Sequence, residues 1–201
     1  MIVCFLGDSL TLGVGDPDTQ GWPGRLVHWA GLPQDRLLAY NLGIRRNSTT
    51  AILSRFHSEV AARLLEDQEM RLVLCLGSVD VLVMEDASDA TAVRSMLEKA
   101  LANTRAILEQ AAPWRTLLVG PPPNSQDLFN TVLERMDHGL AAPAKDMDTP
   151  FLSLIGDLKA SDLYLADLAD GVHPGPSGYE LIARLVHDWE PWREWMETAA
   201  Q

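Results

Sequence analysis

The chain has 201 residues, which is enough for one α/β domain built around a single core. Hydrophobic residues make up 47% and charged residues 22%, proportions typical of a soluble globular protein. The formal net charge of -12 argues against a nucleic-acid partner, because binding to a phosphate backbone requires a basic face.

The amino-terminal segment, MIVCFLGDS, begins directly in an apolar, β-branched run. It shows neither a basic leader nor a cleavage site of the kind found in secretory signals. No stretch approaches the ~18 uninterrupted apolar residues that a membrane span requires. We therefore expect a cytoplasmic protein with no membrane partner.

Five short apolar runs are predicted to form strands. They are IVCFLG (2–7), LLAYNLG (37–43), RLVLCLG (71–77), TLLVGPPP (116–123) and PFLSL (150–154). Continuous apolar runs that end at or near glycine suit strands buried on both faces of a parallel sheet. Because Cys4 and Cys75 lie inside two of these runs, we expect reduced core thiols rather than a disulfide.

Longer segments with helical spacing separate the runs. The apolar stripes are Ile52, Phe56, Val60 and Leu64 in residues 48–67, and Val93, Leu97, Leu101, Ile107 and Leu108 in residues 88–112. Ser48 and Ser88 are predicted to cap these two helices, and Pro176 to occupy the first turn of a helix near the end.

Strands that alternate with helices predict βαβ units and a parallel sheet covered on both faces. No internal repeat, low-complexity tract or linker interrupts the chain, so residues 1–201 are predicted to form a single domain. In open α/β sheets, ligands bind beyond the carboxyl ends of the strands. The segments that follow the strands are therefore where we expect functional residues: GDSL (7–10), GIRRNS (43–48), GSVD (77–80) and PPPNS (121–125), with ADGVHPGPSGY (169–179) before the last helix.

Ser9 lies in one of these strand-to-helix turns, and Asp170 precedes His173 by three residues in a loop. A serine hydroxyl needs a base to remove its proton, and the base needs a carboxylate to fix its tautomer. The three residues together predict an acyl-transfer triad. Each is ordinary alone, because a serine after a strand usually caps a helix and a DxxH pair is common. Their joint placement therefore carries the prediction.

The segments FLGDSLTLG and DGVHPGPSGYELIA resemble the first and last signature segments of the SGNH (GDSL-type) hydrolases. YNLGIRRNST resembles the second segment, and LCLGSVD resembles the third, usually written GxND. The four occur in the family's order over residues 5–182, and GWPGRL, NLGIRR and WEPWREW resemble a bacterial subgroup. The resemblance implies a three-layer, flavodoxin-like α/β fold with a five-stranded parallel sheet flanked by helices. It also implies a serine hydrolase acting on small-molecule esters, thioesters or sugar acetates.

The same resemblance implies a role for each matched residue. Ser9 would be the nucleophile, His173 the base, and Asp170 the residue that orients the imidazole. The backbone amides of Ser9 and Gly43 would donate to the oxyanion, since glycine lets an acyl oxygen approach closely. The alternative, that Gly43 is a simple turn glycine ending a strand, stays open.

The family's third oxyanion donor is the asparagine of GxND, and Val79 occupies that position when Gly77 and Asp80 are aligned. Valine has no donor, and removing one such donor typically costs about 10² to 10³ in rate, or roughly 3–4 kcal/mol. Ser78 and Asn47 are possible substitutes. We therefore expect a slow esterase, with a non-catalytic or weakly active small-ligand-binding homologue as the alternative.

Five residues near the predicted centre are expected to contact substrate: Asp8, Leu10, Arg45, Val79 and Asp80. Arg45 and its neighbour Arg46 suit a carboxylate or phosphate on the substrate, although a solvated or structural pair is an equal alternative. The run VLVM (81–84) is a candidate wall of an acyl pocket, with core packing as the alternative.

The sequence gives no support for a metal or another cofactor. It lacks HExxH, CxxC and Walker-type motifs, and no metal-ligand spacing links His28, His57, His138 and His187. GDSLTLG is also not a phosphate-binding GxGxxG motif, which disfavours a third interpretation, a nucleotide- or phosphate-ester-binding flavodoxin-like protein.

Three tryptophans, Trp189, Trp192 and Trp195, recur every third residue near the end of the chain. We expect them to dock the terminal helix on the core. The alternative is a contact between subunits of a homo-oligomer.

Overall fold

The computed structural model describes residues 1–201, and one five-stranded sheet lies at its centre. The strands are β1 (Ile2–Gly7), β2 (Leu38–Gly43), β3 (Met70–Cys75), β4 (Arg115–Val119) and β5 (Phe151–Leu152). Their order is β2-β1-β3-β4-β5, and every neighbouring pair is parallel. The predicted α/β fold with a five-stranded parallel sheet is confirmed.

Ten helices connect and cover the strands. They are α1 (Ser9–Leu12), α2 (Gly21–Ala30), α3 (Thr49–Ala61), α4 (Ser78–Leu82), α5 (Ala90–Ala111), α6 (Asp127–Asp146), α7 (Ile155–Lys159), α8 (Asp162–Ala166), α9 (Pro176–Asp188) and α10 (Glu190–Ala200). Pro176 opens α9 as predicted. No helix combines the length and the apolar character needed to cross a bilayer.

The sheet separates two hydrophobic clusters, one on each face. Side chains alternate along a strand, so Cys4 and Leu6 of β1 join the cluster under α3, α5 and α6, while Phe5 joins the one under α2, α9 and α10. Cys4 and Cys75 lie in different clusters, and both are buried and free. The predicted reduced core thiols are confirmed. Because helices cover both faces of the sheet, the fold has three layers: helices, sheet and helices.

Two of the five strands are less buried than their apolar sequences suggest. β1 and β3 are buried at every residue, whereas four of the six residues of β2 and both residues of β5 are at least partly exposed. These two strands form the edges of the sheet, where one side has no neighbouring strand. The expectation of full burial is therefore wrong for the edge strands.

Two helix-end predictions also need correction. Asp89, not Ser88, caps α5, because its carboxylate accepts hydrogen bonds from the N–H groups of Thr91 and Ala92. Helix α3 ends at Ala61, so Leu64 lies beyond the apolar stripe and is 46% exposed.

The carboxy-terminal tryptophans pack inside the chain. Trp192 and Trp195 are buried in the cluster that contains Phe5. The rings of Phe5 and Trp192 have centroids 5.9 Å apart, and the Arg71 guanidinium lies 5.3 Å from the Trp195 ring centroid. These contacts confirm that the tryptophans dock α10 on the sheet; the homo-oligomer stays a prediction.

The strand register determines which segments meet above the sheet. In the parallel register Gly7 of β1 pairs with Gly43 of β2, and Leu6 pairs with Leu74 of β3. The three strands therefore end at nearly the same level. Helix α1, the turn after β2 and helix α4 begin side by side at this edge.

Candidate functional site

Three residues that are far apart in the sequence form a hydrogen-bonded chain above the sheet. The Ser9 hydroxyl lies 2.9 Å from Nε2 of His173, and Nδ1 of His173 lies 2.7 Å from Oδ2 of Asp170. An ionised carboxylate only accepts hydrogen bonds, so Nδ1 carries the ring proton and Nε2 presents its lone pair to the serine hydroxyl. The structure thus brings together the three residues predicted as a triad.

Backbone groups of the loop before α9 hold the Asp170 carboxylate in place. Oδ1 of Asp170 accepts hydrogen bonds from the backbone N–H groups of Val172 at 2.9 Å and His173 at 2.7 Å. Partial burial would raise the pKa of Asp170, but the hydrogen bonds from His173 and Val172 outweigh it and lower the pKa to about 2. Asp170 is therefore ionised at neutral pH, and its side chain is 56% exposed.

Contacts with neighbouring segments hold this loop in place. The Ser125 N–H after β4 donates to the Gly171 carbonyl at 2.8 Å, and the Asp167 carboxylate accepts from the Gly178 N–H at 2.6 Å. The Tyr179 hydroxyl donates to the Val14 carbonyl at 2.7 Å, which ties α9 to the segment after α1. Sequence reasoning assigned no role to these six residues, although four of them lie within the segments that were singled out.

The residues on either side of Ser9 lie beneath the site rather than in it. Asp8 is 2% exposed and caps α1 by accepting a hydrogen bond from the Leu10 N–H at 2.8 Å. Burial, and secondarily the nearby Asp80 charge, raise the pKa of Asp8 to about 7 against the hydrogen bonds from Leu10 and Val79. The Leu10 side chain is also buried.

Gly43 does not have the role expected of it. Its N–H donates to Oδ1 of Asn41 at 3.0 Å, so this amide is not free to meet an oxyanion. A Cβ at Gly43 would lie 2.2 Å from the Leu12 nitrogen and 2.8 Å from the Asp8 carbonyl oxygen. Glycine is therefore required because α1 packs directly against the end of β2, and the oxyanion prediction for Gly43 is wrong.

The turn after β2 offers other amides. The Asn47 N–H donates to the Ile44 carbonyl at 3.1 Å and closes a β-turn around Arg45 and Arg46. The N–H groups of Arg45 and Arg46 have no acceptor within the chain. Arg46 has a φ of 65°, in the left-handed region that costs a residue with a side chain about 1–2 kcal/mol.

A cleft of about 390 Å³ opens beside Ser9 and His173. Its lining consists of Ser9, Arg45, Arg46, Val79, Leu82, Val83, Val172 and His173. Arg45 and Val79 therefore lie where substrate contact was predicted. The lining is apolar apart from the Ser9–His173 pair and the two arginines.

Three of the five predicted substrate contacts do not line this cleft. Besides Asp8 and Leu10, Asp80 lies outside it, because its carboxylate accepts from the Thr49 N–H at 2.8 Å and the Thr49 hydroxyl at 2.7 Å. Asp80 thus caps α3 from a neighbouring helix, since Ser48 makes no side-chain capping bond. The direct-contact expectation is wrong for these three residues.

The run VLVM (81–84) divides between cleft and core. Leu82 and Val83 line the cleft, as expected for part of an acyl-pocket wall, whereas Val81 is buried in the core and Met84 packs against it. The proposed substitute donors do not reach the cleft: neither Ser78 nor Asn47 is part of its lining. Val79 itself is 6% exposed and faces the cleft.

One partly buried cation joins the strand ends to the turn. The Arg55 guanidinium donates to the carbonyls of Gly7 at 3.0 Å and Leu42 at 2.9 Å, and its Nε donates to Oδ1 of Asn47 at 2.8 Å. Arg55 thereby fixes the turn that presents Arg45 and Arg46. The sequence offers no signal for this role, because Arg55 occurs within an otherwise ordinary helical pattern.

The sequence matches the profile of the GDSL-like lipase/acylhydrolase family over residues 5–181. Among solved structures, an acetylxylan esterase from Geobacillus stearothermophilus is 19% identical, with a TM-score of 0.73 and 95% of each chain covered. An alpha/beta hydrolase enzyme from the metagenome of Lake Arreo is 20% identical, with a TM-score of 0.72 and 92% of each chain covered. At these identities the two structures support the fold alone. A search of curated protein sequences found no match.

Proposed function

The chain belongs to the GDSL-like lipase/acylhydrolase family of carboxylic ester hydrolases, and we propose that it works through an acyl-enzyme on Ser9. The observation that carries this proposal is the hydrogen-bonded chain from Ser9 through His173 to Asp170. It joins a nucleophile, a base and an orienting carboxylate in the arrangement that acyl transfer requires.

In the first half-reaction the Ser9 oxygen attacks the acyl carbon while Nε2 of His173 accepts the hydroxyl proton. Asp170, ionised at neutral pH, stabilises the imidazolium that forms. Collapse of the tetrahedral intermediate breaks the bond to the alcohol oxygen, and His173 returns the proton to that oxygen. Water, activated by the same imidazole, then attacks the acyl-enzyme and releases the carboxylic acid and free Ser9.

We assign the oxyanion donors to backbone amides of Ser9 and Arg46. Ser9 is the first residue of α1, where helix geometry leaves N–H groups without intrahelical acceptors. The Arg46 N–H has no acceptor within the chain, and Arg46 lines the cleft, unlike Gly43. Val79 occupies the position of the family asparagine and contributes no donor, so this oxyanion hole is weaker by one hydrogen bond.

The cleft supports small acyl groups as substrates. A volume of about 390 Å³ lies near the lower end of the range for small-molecule sites, and its walls include Val79, Leu82 and Val172. We propose short-chain esters, thioesters or sugar acetates. The acetylxylan esterase among similar folds makes sugar acetates a natural part of the screen.

A second candidate function rests on Val79. A chain that lacks one oxyanion donor but keeps the cleft suits a non-catalytic or weakly active protein that binds a small ligand. The hydrogen bonds that link Ser9 to His173 and His173 to Asp170 favour turnover, because ligand binding alone would not require them.

The proposal is tested by comparing the native chain with Ser9→Ala in two assays. A fluorophosphonate probe should label the native chain and not the variant. Short-chain aryl esters and sugar acetates should be hydrolysed by the native chain, with kcat lower by at least about 10⁴-fold in folded Ser9→Ala. Labelling at another residue, or equal hydrolysis by both proteins, would contradict the acyl-enzyme on Ser9.

A further inference from the structure

Half of the other basic residues of this acidic chain form ion pairs, and Arg45 and Arg46 do not. The ion pairs engage Arg25, Arg55, Arg63, Arg71, Arg105, Lys159 and Arg184 with Asp or Glu. Arg45 and Arg46 form no ion pair, although the net charge of -12 supplies carboxylates in excess. Both arginines are exposed, and both line the cleft beside Ser9.

The lining of the cleft carries positive charge without a compensating acid. No aspartate or glutamate contributes to it. The nearby carboxylates of Asp170, Asp80 and Asp8 accept hydrogen bonds from other groups, and none of them lines the cleft. A local positive field in an acidic protein attracts anionic ligands and repels cationic ones.

The backbone gives a second, independent observation. Arg46 has a φ of 65°, a conformation that glycine adopts freely and that a bulky side chain adopts at a cost. Thr19 and Asp148 are the other non-glycine residues with positive φ, and neither lines the cleft. A guanidinium is thus held at the cleft in a backbone position where glycine would fit more easily, which is the pattern expected when the side chain has a function.

We propose that the ester substrate carries an anionic group, a carboxylate or a phosphate, that binds Arg45 and Arg46 while its acyl carbon faces Ser9. Guanidinium groups present planar, paired donors that match the oxygens of both anions. The apolar walls at Val79 and Val172 then contact the uncharged part of the ester. This inference rests on the proposed ester hydrolysis at Ser9 and specifies its substrate class.

The test uses pairs of esters that differ in one charge. The first pair is para-acetoxybenzoate and para-acetoxybenzamide, with the anion on the alcohol side. The second is the para-nitrophenyl monoester of succinic acid and its amide, with the anion on the acyl side. Adding para-acetoxyphenyl phosphate separates recognition of phosphate from recognition of carboxylate. The measured quantity is the ratio of kcat/KM between each anionic ester and its neutral partner.

Substitutions then show whether the arginines produce this preference. In Arg45→Gln and Arg46→Gln the ratio should fall by about three- to tenfold each, mainly through KM, because the contact is made in the ground state. Lysine at both positions keeps the charge but loses the paired donors, so it should retain only part of the ratio. The matched control is the double substitution Arg94→Gln and Arg135→Gln, which removes two exposed charges outside the cleft and should leave the ratio unchanged. High salt should lower the ratio in the native chain.

Three outcomes would overturn the inference. If Ser9-dependent hydrolysis is found but the ratio is the same in native and glutamine variants, the substrate class is wrong and the proposed function stands. If Arg46→Gln lowers kcat equally for charged and neutral esters, the side chain serves the reaction centre instead. If no ester of either kind shows Ser9-dependent hydrolysis, the proposed function fails and this inference fails with it.

Discussion

The two sides of the cleft are built differently. On the side of the loop before α9, His173 and Asp170 have a partner for each functional atom, from the Ser9 hydroxyl to the backbone N–H groups that Asp170 accepts. On the side of α4 and the turn after β2, two amides have no acceptor within the chain, and Val79 presents only methyl groups. The first side, here called the base side, has all its hydrogen-bond partners without a ligand. The second, the oxyanion side, does not.

In the proposed mechanism, the two requirements of acyl transfer would be met by separate parts of the fold. Nucleophile activation would depend on α1 and the loop before α9; the Tyr179 hydrogen bond to Val14 ties α9 to the segment after α1. Oxyanion stabilisation would depend on the Ser9 amide and on the segments after β2 and β3. A substitution on one side can therefore change the rate without disturbing the hydrogen bonds of the other.

The largest expected effect comes from breaking the base side. His173→Ala should lower kcat by about 10⁴-fold or more for a short-chain aryl ester, because Ser9 loses its base. The double variant with Ser9→Ala should be little worse than either single variant, since the residues act as a unit. Steady-state kinetics with a thermal melt for folding checks this. Additive losses would mean that the two residues act independently.

A smaller effect is expected at Asp170, the last residue of the hydrogen-bonded series that begins at Ser9. Asp170→Asn should lower kcat by about 10² to 10³, less than the ~10⁴ seen for a buried triad aspartate, because water reaches this half-exposed carboxylate. Ser177→Ala, an exposed change in α9, is the control. An unchanged kcat in Asp170→Asn would show that the imidazole is oriented by other contacts.

The pKa of Asp170 also predicts a pH dependence. Its folded pKa of about 2 is below the usual value, so its hydrogen bonds stabilise the folded chain above about pH 4, and this contribution is lost as pH falls through about 2. Loss of activity at mildly acid pH would therefore not come from protonation of Asp170. If kcat/KM of the native chain falls at mildly acid pH, the same fall should occur in Asp170→Asn.

The sequence predicted the base side better than the oxyanion side, and the reason is physical. Ser9, Asp170 and His173 belong to segments whose residue types fit one chemistry, and strand order brings those segments together. Gly43 was misassigned because a glycine at a strand end fits both an open amide and a close helix contact, and only the packing against Leu12 distinguishes them. The positive φ of Arg46 has no sequence signal, since arginine rarely adopts it.

The core strands and the edge strands differ in a similar way. The apolar runs at β1 and β2 look alike in sequence, yet β1 is buried throughout and Asn41 of β2 is exposed. Which strand lies at an edge depends on the strand order, which local patterns do not contain. Asp8 and Asp80 were misread for a related reason: carboxylates near a nucleophile suggest substrate contact, whereas here both cap helices.

The buried carboxylate of Asp8, beneath α1, predicts that folding stability depends on pH. Burial raises its pKa to about 7, so between about pH 4 and about pH 7 the folded chain holds a proton that the unfolded chain has lost. The native chain should therefore lose stability as pH rises through this window, by at most about 4 kcal/mol at ~1.4 kcal/mol per pH unit. Asp8→Asn removes this titration and still accepts the Leu10 N–H.

The measurement is the free energy of unfolding in denaturant at several pH values for both proteins. Relative to the native chain, Asp8→Asn should gain about 1–3 kcal/mol between mildly acid and mildly alkaline pH. Asp35→Asn, which changes an exposed aspartate in a loop, serves as the matched control. A constant difference between native and Asp8→Asn across the range would contradict a raised pKa for Asp8.

The smallest expected effect tests the oxyanion side itself. Val79 faces the cleft, so Val79→Asn should place an amide donor where the GxND asparagine stands in the family pattern. The new bond would act mainly on the tetrahedral oxyanion, and the gain should appear in kcat more than in KM. A full oxyanion donor is worth about 10² to 10³. Because the surrounding side chains here evolved around valine, about tenfold is expected.

Val79→Leu provides the matched control, because leucine has nearly the shape of asparagine and no donor. Both variants are compared with the native chain on one activated short-chain ester, with thermal melts to confirm folding. A gain confined to the asparagine variant would locate the missing donor and show that the base side was already competent. Equal kcat in the two variants would mean that position 79 does not reach the oxyanion, and that the amides of Ser9 and Arg46 meet it without help from α4.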